Sequence, residues 1–205
     1  MVPTCNRNYL RVLQVDSPLT KETLEVLYQL PRLTHLWVVF EGPTSLPAAA
    51  LPALTVIDVE CDEDLGWLRG FRGAELERLE TVGITFESYV IGDFLGTFES
   101  TVLTTSAKNT LSTIMFRTSK SWNPNYRALL SFKQLKELEV EFSCRNGCSS
   151  KIDGHVVINL VRATPKLEIL RLGRAPCKIP TEVTVNGLIG PAHRCPHLSK
   201  LRIYF

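Results

Sequence analysis

The phrase Pro165-Lys-Leu-Glu-Ile-Leu-Arg-Leu-Gly173 returns in outline along the whole chain. With Leu167 as position 1, its apolar residues fall at positions 1, 4 and 6. The same spacing occurs at Leu10/Leu13/Val15, Leu33/Leu36/Val38, Leu54/Ile57/Val59 and Leu79/Val82/Ile84. It continues at Leu111/Ile114/Phe116, Leu135/Leu138/Val140, Leu167/Leu170/Leu172 and Leu198/Leu201/Ile203. These are eight copies, separated by 23, 21, 25, 32, 24, 32 and 31 residues. Alternation at positions 4, 6 and 8 is the period of a strand buried on one side. A chain that writes one short strand eight times has few folds open to it.

The segments between the copies carry the other periodicity. Leu24, Leu27 and Leu30 share a face in a helix expected over 20–30, with Thr20 as a candidate cap after Pro18. Val156, Val157, Leu160 and Val161 do the same over 153–163, and Val185, Leu188, Ile189 and Ala192 over 184–195. Within the last of these, Gly190-Pro191 interrupts the run and should kink or shorten it. Pro31, Pro165 and Pro196 end their helices and pass the chain to the next strand. The connections at Ser45–Leu51 and Asp62–Phe71 are too short for full helices. One strand and one helix cannot bury their apolar faces alone, so the coils must stack, with parallel strands reached by crossovers. The reading is an α/β leucine-rich-repeat solenoid, a curved parallel sheet with helices on its convex side. It forms a single domain over 1–205 of about eight irregular repeats, the last incomplete. At position 8 the even copies carry Phe40, Phe86, Phe142 and Phe205, which are expected to stack inside as a broken spine.

Positions 3, 5 and 7 point the other way, onto an exposed concave face. His35 and Trp37 lie there, as do Met115, Arg117, Glu137, Glu139, Glu141, Arg171, Lys200, Arg202 and Tyr204. Strands about 4.8 Å apart would let Glu139 pair sideways with Arg171. Such a face is either a charge-balanced solvated sheet or a recognition surface, with Trp37 as its aromatic anchor. On the second reading a protein partner is met by His35, Trp37, Met115, Arg117, Glu139, Arg171, Arg202 and Tyr204.

The closing stretch Thr184-Val-Asn-Gly-Leu-Ile-Gly-Pro-Ala-His-Arg-Cys-Pro-His-Leu-Ser-Lys-Leu-Arg-Ile203 resembles the leucine-rich repeats of fungal F-box proteins. Those repeats commonly pair a helix ending in His-x-Cys-Pro with a strand written x-Leu-x-x-Leu-x-Ile. Pro165–Leu172 and Phe132–Val140 look like the same unit. The resemblance implies a non-enzymatic interaction module like the substrate-recognition part of an SCF ubiquitin ligase. In that family an F-box docks on the ligase adaptor. Here the first copy begins at Leu10, leaving no room for an F-box, so adaptor binding is not expected. The chain also departs at position 9, where many such repeats stack asparagines: it has Pro18, Glu41, Asp62, Glu87, Ser119, Ser143 and Ala175. A repeat scaffold unrelated to ubiquitination, or the remnant of a decayed F-box gene, is the alternative.

Composition narrows the remaining classes. A net charge of +2 is too near neutral to make nucleic acid an obligate partner. The cations Arg171, Arg194, Lys200 and Arg202 would also bring Glu137, Glu139 and Glu141 against the phosphates. No uninterrupted run of 18 apolar residues suggests a membrane span, and the N-terminus lacks the apolar stretch of an export signal. A cytoplasmic or nuclear place, with six free thiols, is therefore expected. His193, Cys195 and His197 make three candidate zinc ligands where a closed site needs four. Cys144 and Cys148 read as a loop with two thiols, and Asp58-x-Glu60-x-Asp62-Glu-Asp64 as a solvated acidic segment. An enzyme would have to use Asp58, Glu60 or the His193 group, but phosphate-loop, dinucleotide and nucleophile-elbow phrases are missing. The expectation is no catalysis and no cofactor.

Overall fold

The structure, a computed structural model, describes residues 9–27, 29–40, 51–62, 67, 76–87, 93–102, 106–120, 122, 124–142, 152, 154–173, 183, 188, 193 and 195–203. Eight strands form one sheet: β1 (Val12–Pro18), β2 (His35–Phe40), β3 (Val56–Cys61), β4 (Thr81–Phe86), β5 (Thr113–Thr118), β6 (Glu137–Phe142), β7 (Ile169–Leu172) and β8 (Lys200–Ile203). Every neighbouring pair is parallel, and the strand order is the sequence order from β1 to β8. Parallel neighbours need crossovers. Because crossovers are right-handed, an order that never reverses sends each of them over the same face. The protein is thus an α/β chain built on one eight-stranded parallel sheet.

The register is set by a backbone device that recurs at each of the seven junctions. The carbonyl at position 2 (Arg11, Thr34, Thr55, Glu80, Ser112, Lys136, Glu168) accepts the N–H groups at positions 2 and 3 of the next copy, at 2.7–3.1 Å. Where position 2 is Thr34, Thr55, Ser112 or Ser199, its hydroxyl donates to the same carbonyl. Just before each strand from β2 to β8 the N–H of the position-1 leucine bonds back into a tight turn. Six of these turns have the form Leu30-Pro-Arg-Leu33, closing i to i+3. At the seventh, Leu111 N–H reaches Ala107 four residues back. Proline fills the second turn position at 31, 52, 165 and 196, where its fixed φ is already correct and its missing N–H is not needed.

Periodicity then decides burial. The residues at positions 1, 4 and 6 from Leu33 to Leu172 are buried, while Leu13, Val15, Leu198, Leu201 and Ile203 at the two outer strands are only partly covered. The turn's first residue adds a row the period does not announce: Leu30, Leu51, Leu76, Ala107, Phe132, Thr164 and Cys195, all buried. Beneath β4 and β5 the core is aromatic. The ring of Phe94 meets Phe86 at 4.7 Å and Phe116 at 5.2 Å, both edge-on, and Phe98 meets Phe116 at 5.2 Å.

Several expectations are corrected. The first helix, α1, is short, Lys21–Leu27. Thr20 caps it through a 3.3 Å bond from Thr23 N–H, and Gln29 and Leu30 then tighten into i−3 bonds that lead to Pro31. Leu27 and Leu30 are buried, while the side chain of Leu24 lies outside the described residues. A helix α2, Phe94–Val102, is capped by Asp93, whose carboxylate accepts Gly96 N–H at 3.0 Å. The expected helix over 153–163 is α3, Gly154–Ala163, with Val157, Leu160 and Val161 buried and Val156 half-buried. Of 184–195, Leu188 and His193 are helical and Gly190-Pro191 lies outside the described residues, as do Ser45–Ala50 and most of Asp62–Phe71. The phenylalanine spine does not stack on itself. Buried Cys61 and Thr118 separate Phe40, Phe86 and Phe142, and the rings pack sideways instead, Phe40 on Trp67 and Phe86 on Phe94. Phe205 lies outside the described residues.

Leu138 and Leu170 are fully buried between strands on both sides. Replacing either with alanine should cost about 2–5 kcal/mol in urea unfolding. Hydrogen exchange should accelerate first in the adjacent strands, because coupling runs between neighbours. Losses under about 1 kcal/mol for both would contradict the burial.

Candidate functional site

On the face opposite the core, the strands present side chains in a fixed lattice. Along its middle row, register places Gln14, Trp37, Asp58, Gly83, Met115, Glu139, Arg171 and Arg202 side by side. Position 7 adds Val39, Glu60, Thr85, Arg117 and Glu141 in a second row.

At the centre the charges close on themselves. One Glu139 oxygen accepts Arg117 Nε at 2.9 Å and the other accepts Arg171 Nη1 at 2.5 Å. Arg171 Nη1 also donates to Glu137 at 2.6 Å, and Arg117 Nη2 reaches the Met115 sulfur at 3.4 Å. Flanked by two guanidinium groups, Glu139 is 6% exposed, which corrects its placement as an exposed surface residue. Partial burial alone would lower Arg171, but the hydrogen bonds and charges of Glu139 and Glu137 hold its guanidinium above the ordinary value.

Toward β1 the face turns acidic. Gly83 has no side chain, and a Cβ there would meet the Asp58 carboxylate at 2.8 Å, so glycine is what lets Asp58 lie across β4. Burial raises the Asp58 carboxyl above its usual range, against the opposing charge of Arg117 and a bond from Val59 N–H. Glu60 is raised chiefly by a hydrogen bond shared with Glu87, then by burial and by the charges of Glu87, Asp58 and Asp16. Beside these groups Trp37 is half-buried, and His35 is exposed with Nδ1 at 2.9 Å from the Thr34 hydroxyl. Toward β8, Lys200 and Arg202 make no ion pair among the described residues, and Tyr204 lies outside them. At the carboxyl ends of β4–β6 a cavity of about 510 Å³ lies between Thr85, Glu87, Arg117, Ser119 and Glu141.

The eight candidate residues therefore divide. Met115, Arg117, Glu139 and Arg171 form one contact network, His35 and Trp37 stand at one end of the face, and Arg202 stands at the other. The Cys195 thiol is buried and donates to Leu167 O at 3.3 Å inside the turn row, its pKa raised by that burial, while His193 and His197 are exposed. Among the described residues no group of three metal-ligating side chains comes together. Cys144, Cys148, Glu63, Asp64 and Arg194 lie outside them. Sequence reading missed the Glu60–Glu87 pair and the Asp58–Gly83 fit. A glycine inside a strand was the available signal for the second. Compared with protein-family models, with curated proteins and with solved structures, the chain matches none.

Two electrostatic outcomes follow from this geometry. Glu139→Ala leaves two arginines without their shared acceptor and should cost about 1–3 kcal/mol. Glu137→Ala leaves Arg171 still paired and should cost less than about 1 kcal/mol. Urea melts at fixed ionic strength compare the two, and equal losses would dissolve the central role of Glu139. Folding raises Glu60, so its stabilising contribution is complete below the ordinary value of 4.5 and disappears as pH rises through the raised one. Glu60→Gln should therefore stabilise the protein by about 0.2–1 kcal/mol near neutral pH. The gain should vanish in thermal melts run below pH 4.5. A gain that persists there would exclude carboxylate repulsion as the cause.

Proposed function

We propose that this chain is a leucine-rich-repeat solenoid serving as a non-enzymatic protein-interaction module, with the partner on the strand face described above. The leucine rows, the unreversed parallel sheet and the one turn per strand support the solenoid assignment. The binding assignment rests on one observation. The centre of the face is satisfied internally by Arg117, Glu139 and Arg171, whereas toward its two ends Trp37 and Arg202 have no such closure among the described residues. Tryptophan and arginine are the types that dominate binding energy once desolvated, and the flanking charges set orientation and on-rate. The resemblance to the substrate-recognition repeats of F-box subunits makes recruitment of a protein substrate to a ubiquitin ligase the preferred role. Cytoplasm or nucleus is the proposed place. Among the described residues no helix is long and apolar enough to cross a membrane.

The test is affinity capture with wild type and a Trp37→Ala, Arg202→Glu double variant, both checked for folding by circular dichroism. Specific partners retained by wild type should fall at least tenfold with the variant, since each anchor is worth about 1–2 kcal/mol or more. An unchanged partner set would move the interface off this face. Binding that instead falls steeply with salt and includes nucleic acid would replace the reading with a different one.

A further inference from the structure

The two halves of the strand face differ in how their charges are met. On β6, Glu137 and Glu139 have arginine partners at 2.5–2.9 Å. Strands β1–β4 carry Asp16, Asp58 and Glu60, with Glu87 just beyond β4, and they contain no lysine or arginine. None of these four carboxylates has an ion pair among the described residues. The charge of Arg117 reaches Asp58, but its Nε is bonded to Glu139 at 2.9 Å. Glu60 registers the missing counter-charge. Its hydrogen bond with Glu87, then burial, then the charges of Glu87, Asp58 and Asp16 all raise it.

Trp37 stands among these groups. In the middle row it lies between Gln14 and Asp58, and Gln14 Nε2 donates to Asp16 at 2.9 Å. The Asp58 carboxylate lies over Gly83 on β4, the neighbour of β3 on the side away from Trp37. A half-buried indole in a field of uncompensated carboxylates attracts cations and repels anions. Guanidinium suits it best, since that group stacks on aromatic rings and bonds carboxylates with a planar fork. The width of the acidic strip says more. From Asp16 on β1 to Glu87 beyond β4 is three strand spacings, about 14 Å. In an extended chain, three side chains at alternate residues span about 13 Å. A single small cation would meet only one part of the strip.

We propose that the partner of this face lays an extended basic segment, with arginine or lysine at alternate residues, across the β1–β4 half. One cationic side chain stacks on Trp37, and those beside it meet Asp16 and the Glu60–Glu87 pair. The proposal rests on the reading of the strand face as an interaction surface and adds the chemistry of what it receives.

The experiment is fluorescence anisotropy on the full chain with two labelled, blocked peptides, one alternating arginine with serine and one alternating glutamate with serine. The arginine peptide should bind saturably, with affinity that falls as salt is raised. Trp37→Leu should weaken it about threefold or more. An Asp16→Asn, Glu60→Gln, Glu87→Gln triple variant should weaken it about tenfold. The triple variant relieves repulsion among acids, so it keeps the test decisive if Trp37→Leu does not fold. Arg202→Glu, at the far end of the face, should leave the peptide affinity within about twofold of wild type. Failure of the arginine peptide to saturate, equal binding of the glutamate peptide, or wild-type affinity in the triple variant overturns the proposal. Affinity capture separates that failure from failure of the broader reading. Partners lost with the Trp37→Ala, Arg202→Glu variant but kept by the triple variant would remove the basic segment and leave the interaction surface standing.

Discussion

One carbonyl at each strand junction, shared between two N–H groups at the entry to the next strand, holds the sheet in register. It sits at position 2, immediately before each strand, and it recurs at all seven junctions. Buried backbone groups must be paired, and a parallel ladder alone leaves the entry to each strand open. The doubled acceptor closes that entry and fixes where the strand begins. Once the beginnings are aligned, side-chain period 2 does the rest: every position 4 meets a position 4, and every position 5 a position 5. A slip of one residue would turn the whole leucine row outward.

That alignment explains how a sheet face can carry so many charges. Glu139 is nearly inaccessible but has an arginine on each side, delivered by the same register that places leucines beneath it. Breaking such a group costs more than forming it contributes, since the loss leaves a desolvated charge without its partner. The central network is best understood as a constraint on side-chain positions. At one end of the face Lys200 and Arg202 have no ion pair among the described residues, and it is there that the proposed recognition would draw on free charge.

Strand number, pairing direction and the core rows were legible from the leucines, because a strict local period has one geometric consequence. The side of the sheet that each described strand residue takes was legible too, from strand alternation, but the near-complete burial of Glu139 on that side was not. What escaped was of two kinds. Contacts such as Phe40 on Trp67 or Asp58 over Gly83 depend on residues far apart in sequence that no period links. The turn row escaped because its members, from Leu30 through Ala107 and Thr164 to Cys195, share no chemistry except compactness inside a backbone loop. Cys195 is an example. The sequence offered it as one of three zinc candidates where a closed site needs four, and its thiol lies inside the preceding turn.

The alternation of large and small side chains at the end of each strand has an evolutionary corollary. Across β2 to β6 it reads Phe40, Cys61, Phe86, Thr118, Phe142, all buried. Loss of one strand with its turn would set Phe40 beside Phe86, and duplication of one would set like beside like. Loss or gain of two adjoining strands preserves the sequence of sizes.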